Sequence, residues 1–390
     1  MSSRRNFAKK AALAATVGVS SLAGCTGGSG SGSDSGGSGD GSSGDGGSGD
    51  GSEEISYDGP IPTDIVEGAQ GDGAATIYGA TGSSQAVEMM DAFGEITSFA
   101  GAEYVQMGDS GIASRLTSEL RSGNVTADGT ISSGRGALAS LQTQTDAIRP
   151  NPDYLLDFFE EMGYPEDGYG EYYYPFNVFP IVTYYNTDRI SAEELPDSYL
   201  GMTEDRFDGE IVMETPAIMG GMDAFWATLH AEWGEAQFEE WAQGLLDNNV
   251  QLTDSGGTAY AELANGNNMI GFGLIDDLVR ERQDGNPSAD IAWEMMNPHA
   301  VELVFPGVLV NESPNPGMGE LFAAYCATRE GQEIIASWGA FPALPEVKQE
   351  AFPDLLPDDF SFETGVFNVD GYYENTEEWR EYFEDLGYGL

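Results

Sequence analysis

The chain has 390 residues and a formal net charge of −51, with 66 acidic residues against 15 basic ones. A surface of that sign repels polyanions, which excludes nucleic acid as a partner. A hydrophobic fraction of 40% with 19 Phe, 18 Tyr and 6 Trp is ample for packed cores.

The first elements in chain order are an export signal and a tether. Arg4-Arg5 opens a basic start, Ala11 to Ala23 forms an apolar run, and Leu22-Ala23-Gly24-Cys25 follows. Basic start, short apolar stretch and small-residue cleavage site together predict a signal over residues 1–24. The paired arginines indicate the twin-arginine route. The apolar run is too short to span a membrane. Leu22-Ala23-Gly24-Cys25 resembles a lipobox, which implies cleavage before Cys25 and lipidation of its thiol. Residues 25–56 are then the lipidated Cys and a run almost wholly of Gly, Ser, Asp and Glu. Such a run buries too little apolar surface to offset its ordering entropy and predicts a flexible tether. Four of the fifteen basic residues lie in the signal, and Lys348 is the one lysine beyond it. High acid content with almost no Lys resembles proteins of extreme halophiles, whose self-repulsion salt screens. With Cys25 taken by lipid, Cys326 has no partner for a disulfide.

The body, about 330 residues, is longer than one core usually serves and predicts two lobes. Residues 74–78 read as a strand, 85–93 as a helix, 102–107 as a strand, and a helix opens at Ser110 as its cap. This strand–helix alternation predicts an α/β body with parallel sheets. Residues 177–185 and 300–310 read as long strands suited to crossings between lobes. Shorter strands are expected at 209–213 and 268–274. Single long helices are expected over 223–246 and 320–338. Cys326 falls on a buried helix face, as a small hydrophobe. The tail 353–390 is acidic and aromatic and is expected to pack on the surface.

Several ordered segments carry a family resemblance. They include Ile77-Tyr78-Gly79-Ala80-Thr81, Arg115-Leu116-Thr117-Ser118-Glu119, Tyr185-Asn186-Thr187-Asp188, Phe207-Asp208-Gly209-Glu210-Ile211 and Leu263-Ala264-Asn265-Gly266. Ser313-Pro314-Asn315-Pro316 and Glu330-Gly331-Gln332 complete the set. Across residues 74–345 the chain resembles the extracellular solute-binding proteins of ABC importers, in the two-lobed, periplasmic-binding-protein-like class that includes the ferric-iron binders. With its leader it resembles a haloarchaeal-type lipoprotein. The resemblance implies lobe 1 over 74–176 and 311–390, lobe 2 over 177–310, and hinge strands between them. It implies capture of a small polar solute, whether ferric iron, another metal, an oxyanion or a phosphorylated compound. Delivery would be to an ABC permease, by a monomer anchored on the outer face of the cytoplasmic membrane, with no cofactor.

Open α/β sheets bind ligands at loops beyond the carboxyl ends of their strands. That rule selects Ser83 and Ser84, Ser133 and Arg135, Ser255 and Gly256, and Asp276 and Asp277 as ligand contacts, with Thr215-Pro216-Ala217 nearby. Tyr185 joins them from the Tyr-Asn-Thr segment. Ser and Gly before a helix offer N–H donors to an oxyanion, and Arg135 adds a fork of donors. The same residues also serve as plain helix caps and a surface charge. The ferric binders place adjacent tyrosines where this chain has Ile275-Asp276-Asp277. Those acids suit a cation, an ammonium group or a solvated surface alike. With His230 and His299 the chain's two histidines, an imidazole-rich metal site is not expected. Two other functions compete: a lipid-anchored sensor feeding a chemoreceptor, and a surface hydrolase built on Gly108-Asp109-Ser110-Gly111. The hydrolase lacks a convincing His base and oxyanion loop.

Overall fold

The computed structural model describes residues 57, 59–97, 101–131, 138, 141, 146–165, 168–218, 222–275, 278–279, 290–294, 302–353 and 375–390. The chain divides into a unit of residues 1–52, outside the described residues, and a unit of residues 53–390. The signal, the tether and Cys25 therefore fall outside the described residues.

The second unit is α/β. Its first part runs α1 (Thr63–Gly68), β1 (Ala75–Gly79), α2 (Ser83–Ile96), β2 (Ala102–Gln106), α3 (Asp109–Ser122), β3 (Gly129–Ile131), β4 (Ile148–Arg149) and α4 (Asp153–Glu161). The long strand β5 (Tyr174–Asn186) leads to β6 (Ile211–Glu214), α5 (Met222–Trp233), α6 (Glu235–Asp247), β7 (Gln251–Thr253), α7 (Gly256–Ala264), β8 (Ile270–Leu274) and β9 (Ile291–Glu294). A second long strand, β10 (Glu302–Val310), precedes α8 (Pro316–Ala327), α9 (Arg329–Ser337), β11 (Phe341–Pro342), α10 (Pro345–Ala351) and α11 (Thr376–Phe383).

The strand order is β2-β1-β3-β10-β5-β8-β6-β7. β1 lies parallel to β2 and β3, and β6 lies parallel to β7 and β8. Between these parallel sets stand the antiparallel strands β10 and β5. β5 changes partner along its length. Tyr174 to Pro180 pair with β10, and Ile181 to Tyr185 pair with β8. Pro180, which has no N–H to donate to a ladder, sits at that change. The two long strands are thus the described crossings between the parallel sets.

Alternation places successive side chains in different cores, as a pleat requires. Ile77 joins a core with Phe93, Phe322 and Tyr325, while Tyr78 joins one with Ile112, Leu116 and Val308. Ile211 and Met213 face a third core around Trp226 and Trp241, and Val212 faces the first. Cys326 is fully buried in the first core, and burial pushes its thiol pKa up, so it remains a neutral, unreactive hydrophobe.

Both long helices expected from the sequence are pairs. The first breaks at Gly234, whose φ of 77° lies in the left-handed region that glycine alone enters freely. The second breaks at Thr328, an extended residue whose hydroxyl accepts the N–H of Gly331 and starts a new helix. Ser110 is not a cap: α3 is capped at Gly108, and Ser110 lies within its first turn. The last helix, placed with lobe 1 by sequence order, packs instead on the third core. Trp379, Tyr382, Phe383 and Tyr388 all join that core.

Candidate functional site

The parallel pairing of β1 with β3 sets Gly79 beside Ile131, so the loops beyond both strands start from one edge. A side chain at Gly79 would meet the Ile131 carbonyl oxygen at 2.7 Å and the Tyr104 hydroxyl at 2.9 Å, so this crowded edge requires glycine. The Tyr104 hydroxyl donates to the Thr81 carbonyl at 2.7 Å and fixes the loop. Burial raises the pKa of that phenol, which keeps it a neutral donor. Ser83 and Ser84 then form the exposed first turn of α2, and the Ser83 hydroxyl donates to the Gln106 side chain. Ser133 and Arg135 lie outside the described residues.

Next to this turn is a cavity of about 430 Å³. Thr81 and Gln85 line it from α2 and the loop before it, and Phe176, Asn177 and Phe179 line it from β5. Phe305 of β10 and Trp338, which follows α9, complete the aromatic wall. The Phe179 and Phe305 rings meet edge to face at 4.6 Å, and Phe176 and Trp338 lie 6.2 Å apart. Trp338 is aimed by its indole N–H, which donates to Glu88 at 3.1 Å. Asn177 is 3% exposed, and its Oδ1 has no hydrogen-bond partner. A buried acceptor left unpaired costs about 1–3 kcal/mol. Asn177 joins Thr81 and Gln85 as the polar side chains that line the cavity.

The second parallel set has an equivalent edge. Glu214 pairs with Thr253 and Met213 with Phe272, so residues 215, 254–256 and 275 leave the sheet side by side. Ser255 caps α7: its hydroxyl accepts the Thr258 N–H at 3.2 Å, and Gly256 opens the helix. In the loop at Thr215 the buried hydroxyl donates to the Tyr388 carbonyl. Asp276 and Asp277 lie outside the described residues. Among the described residues no group of three or more His, Cys, Asp or Glu could hold a metal.

Tyr185 is placed apart from these edges. It is 7% exposed within the Trp226 core, and at about 3.3 Å per residue it lies roughly 20 Å along β5 from Phe179. Burial, with Glu294 and Glu193 adding to it, raises the pKa of its phenol and disfavours a phenolate ligand. Sequence reasoning thus selected the loop serines beside the cavity and missed its wall. The available signal was Asn177 itself, a polar residue inside a long apolar run.

Of the two histidines of the hydrolase reading, His299 lies outside the described residues and His230 is far from a nucleophile's surroundings. His230 is enclosed by the rings of Phe238, Trp379 and Tyr382 at 5.2–5.7 Å, on the Trp226 core, whereas α3 packs on the core of Tyr78.

The family model of bacterial extracellular solute-binding proteins matches residues 138–362. The chain belongs to this family. Solved structures share the fold. FutA (IdiA) of Trichodesmium, in complex with iron and citrate, is 18% identical with a TM-score of 0.69, covering 81% of this chain and 100% of that one. Iron-bound HitA of Pseudomonas aeruginosa is 16% identical with a TM-score of 0.64, covering 81% and 99%. The ferric binding protein of Campylobacter jejuni is 18% identical with a TM-score of 0.66, covering 80% and 99%. At these identities the likeness is one of fold alone. An uncharacterized protein of Haemophilus influenzae is 28% identical over 167 residues, 40% of this chain, and the match spans 44% of that relative. The two-lobed solute-binding architecture is thereby shared, and the family is one of binders rather than enzymes.

Proposed function

We propose that this protein is the extracellular solute receptor of an ABC importer, without catalytic activity. The observation that carries the reading is the cavity at the long crossing strands of a solute-binding family fold, walled by four aromatic rings and the Asn177 side chain. The lobes are residues 74–176 with 311–353, and 177–310 with 376–390. They close on the solute by bending at β5 and β10, a shift between open and closed states that the solute biases. Cys25 carries the lipid after a twin-arginine export signal is removed, and the acidic tether holds a monomer near its permease in a saline medium. Ser83, Ser84, Ser133, Arg135, Ser255, Gly256, Asp276 and Asp277 contribute contacts from the strand ends. Iron in the titles of three similar structures puts ferric iron among the candidate cargoes, beside other metals, oxyanions and phosphorylated compounds.

A thermal-shift panel in molar salt tests this. The probes are ferric citrate, other metal ions, inorganic phosphate, phosphate esters, polyamines, thiamine and sugars. A true solute raises the melting temperature by mass action. Arg135→Ala and Asp277→Ala are each expected to weaken the active probe about tenfold, the loss of one charged contact, without changing the unliganded melting temperature. If every probe leaves the temperature unmoved, solute capture fails as a reading.

A further inference from the structure

Resting on that reading, we infer that the solute is an organic molecule with a flat ring, neutral or cationic, rather than a bare metal ion or a simple oxyanion. Size is the first argument. At about 430 Å³ the cavity is many times the ~30 Å³ share of one water, and it falls within the range of small-molecule pockets. A metal ion held by protein oxygens needs only the space of its coordination shell.

The second argument is the chemistry of the wall. Four rings, Phe176, Phe179, Phe305 and Trp338, supply faces and edges, and ring-bearing solutes stack on such surfaces. Among the described residues that line the cavity none is ionisable, and the rings dominate that wall. Among the described lining residues the polar groups are neutral: the Asn177 carboxamide, the Thr81 hydroxyl and the Gln85 carboxamide. Asn177 is the most buried of these, and its carboxamide group both donates and accepts. The third argument is charge. A formal net charge of −51 opposes a polyanionic solute and favours a neutral or cationic one, and aromatic faces attract cations.

The test is titration of the soluble protein in molar salt with four probes: thiamine as a cationic heteroaromatic, adenosine as a neutral one, ferric chloride and inorganic phosphate. Tryptophan emission and melting temperature are both read. A ring-bearing probe is expected to bind and quench emission. Trp338→Ala and Asn177→Ala are each expected to weaken it about tenfold or more, and Trp338→Phe to remove most of the quenching while sparing affinity. Unliganded melting curves of the variants confirm that they fold, and Asn177→Asp keeps the shape should Asn177→Ala fail. Ferric chloride or phosphate binding with affinity untouched by Trp338→Ala and Asn177→Ala would overturn the inference and leave solute capture standing. Silence from all four probes overturns it too. The wider panel above then decides whether solute capture also falls.

Discussion

Asp128 shows how much one side chain can carry. It is fully buried, and its two oxygens accept from Thr76 N–H at 2.7 Å, the Ser313 hydroxyl at 2.6 Å, and Asn315 N–H at 2.8 Å and Nδ2 at 3.3 Å. A buried carboxylate survives only when hydrogen bonds replace its water, and these four do so while tying β1 to the chain after β10. Asp128→Ala strands several buried donors and is expected to destabilise the protein by about 3 kcal/mol. Asp128→Asn keeps one acceptor and should cost less. Guanidinium unfolding measures both, and equal stability of wild type and Asp128→Ala would refute the account. At this scale the sequence is a poor guide. Ser313-Pro314-Asn315 is visible as a motif, but its partner 185 residues away is not. Asn177 is likewise visible as a letter, while its place at the cavity is a property of the assembled fold.

Elements were more legible than their ends. β1, β5 and β10 stand out because apolar runs bounded by turn residues mark strands directly. The helices expected over 223–246 and 320–338 read as unbroken because apolar spacing continues across Gly234 and Thr328. What breaks them is local backbone chemistry, a positive φ in one case and a hydroxyl cap in the other. At Gly234 a Cβ would meet nothing within 4 Å, so the backbone alone sets the cost of a substitution. Gly234→Ala is therefore expected to lose about 1 kcal/mol, the penalty for forcing an L residue into a left-handed conformation. A lowered denaturation midpoint with unchanged slope is the expected result. Unchanged or raised stability would mean that α5 and α6 can fuse into one helix.

The whole molecule answers to its charge and its connectivity. With a net charge of −51, and with surface ion pairs such as Arg329–Glu333 and Arg380–Glu384 worth little each, repulsion dominates long-range electrostatics. Dilution from 1 M to 0.1 M salt lengthens the screening distance from about 3 Å to about 10 Å. The melting temperature is expected to fall steeply over that range, and one that rises would show that repulsion does not limit stability. Two lobes were legible from length and from the two long strands, but the return of the chain to the Trp226 core was not, because no local pattern in 376–390 says which surface it covers. That return has a cost in time. The Tyr388 hydroxyl donates to the Ala242 carbonyl 146 residues earlier, and its ring packs on Trp226. At roughly 5–20 residues per second, a ribosome needs on the order of 10–30 s to supply that ring after Ala242 has been made. A nascent chain that already holds β5 through β10 still presents a bare tryptophan face to its neighbours. Newly made copies crowded on a polysome are therefore most prone to stick together in that interval.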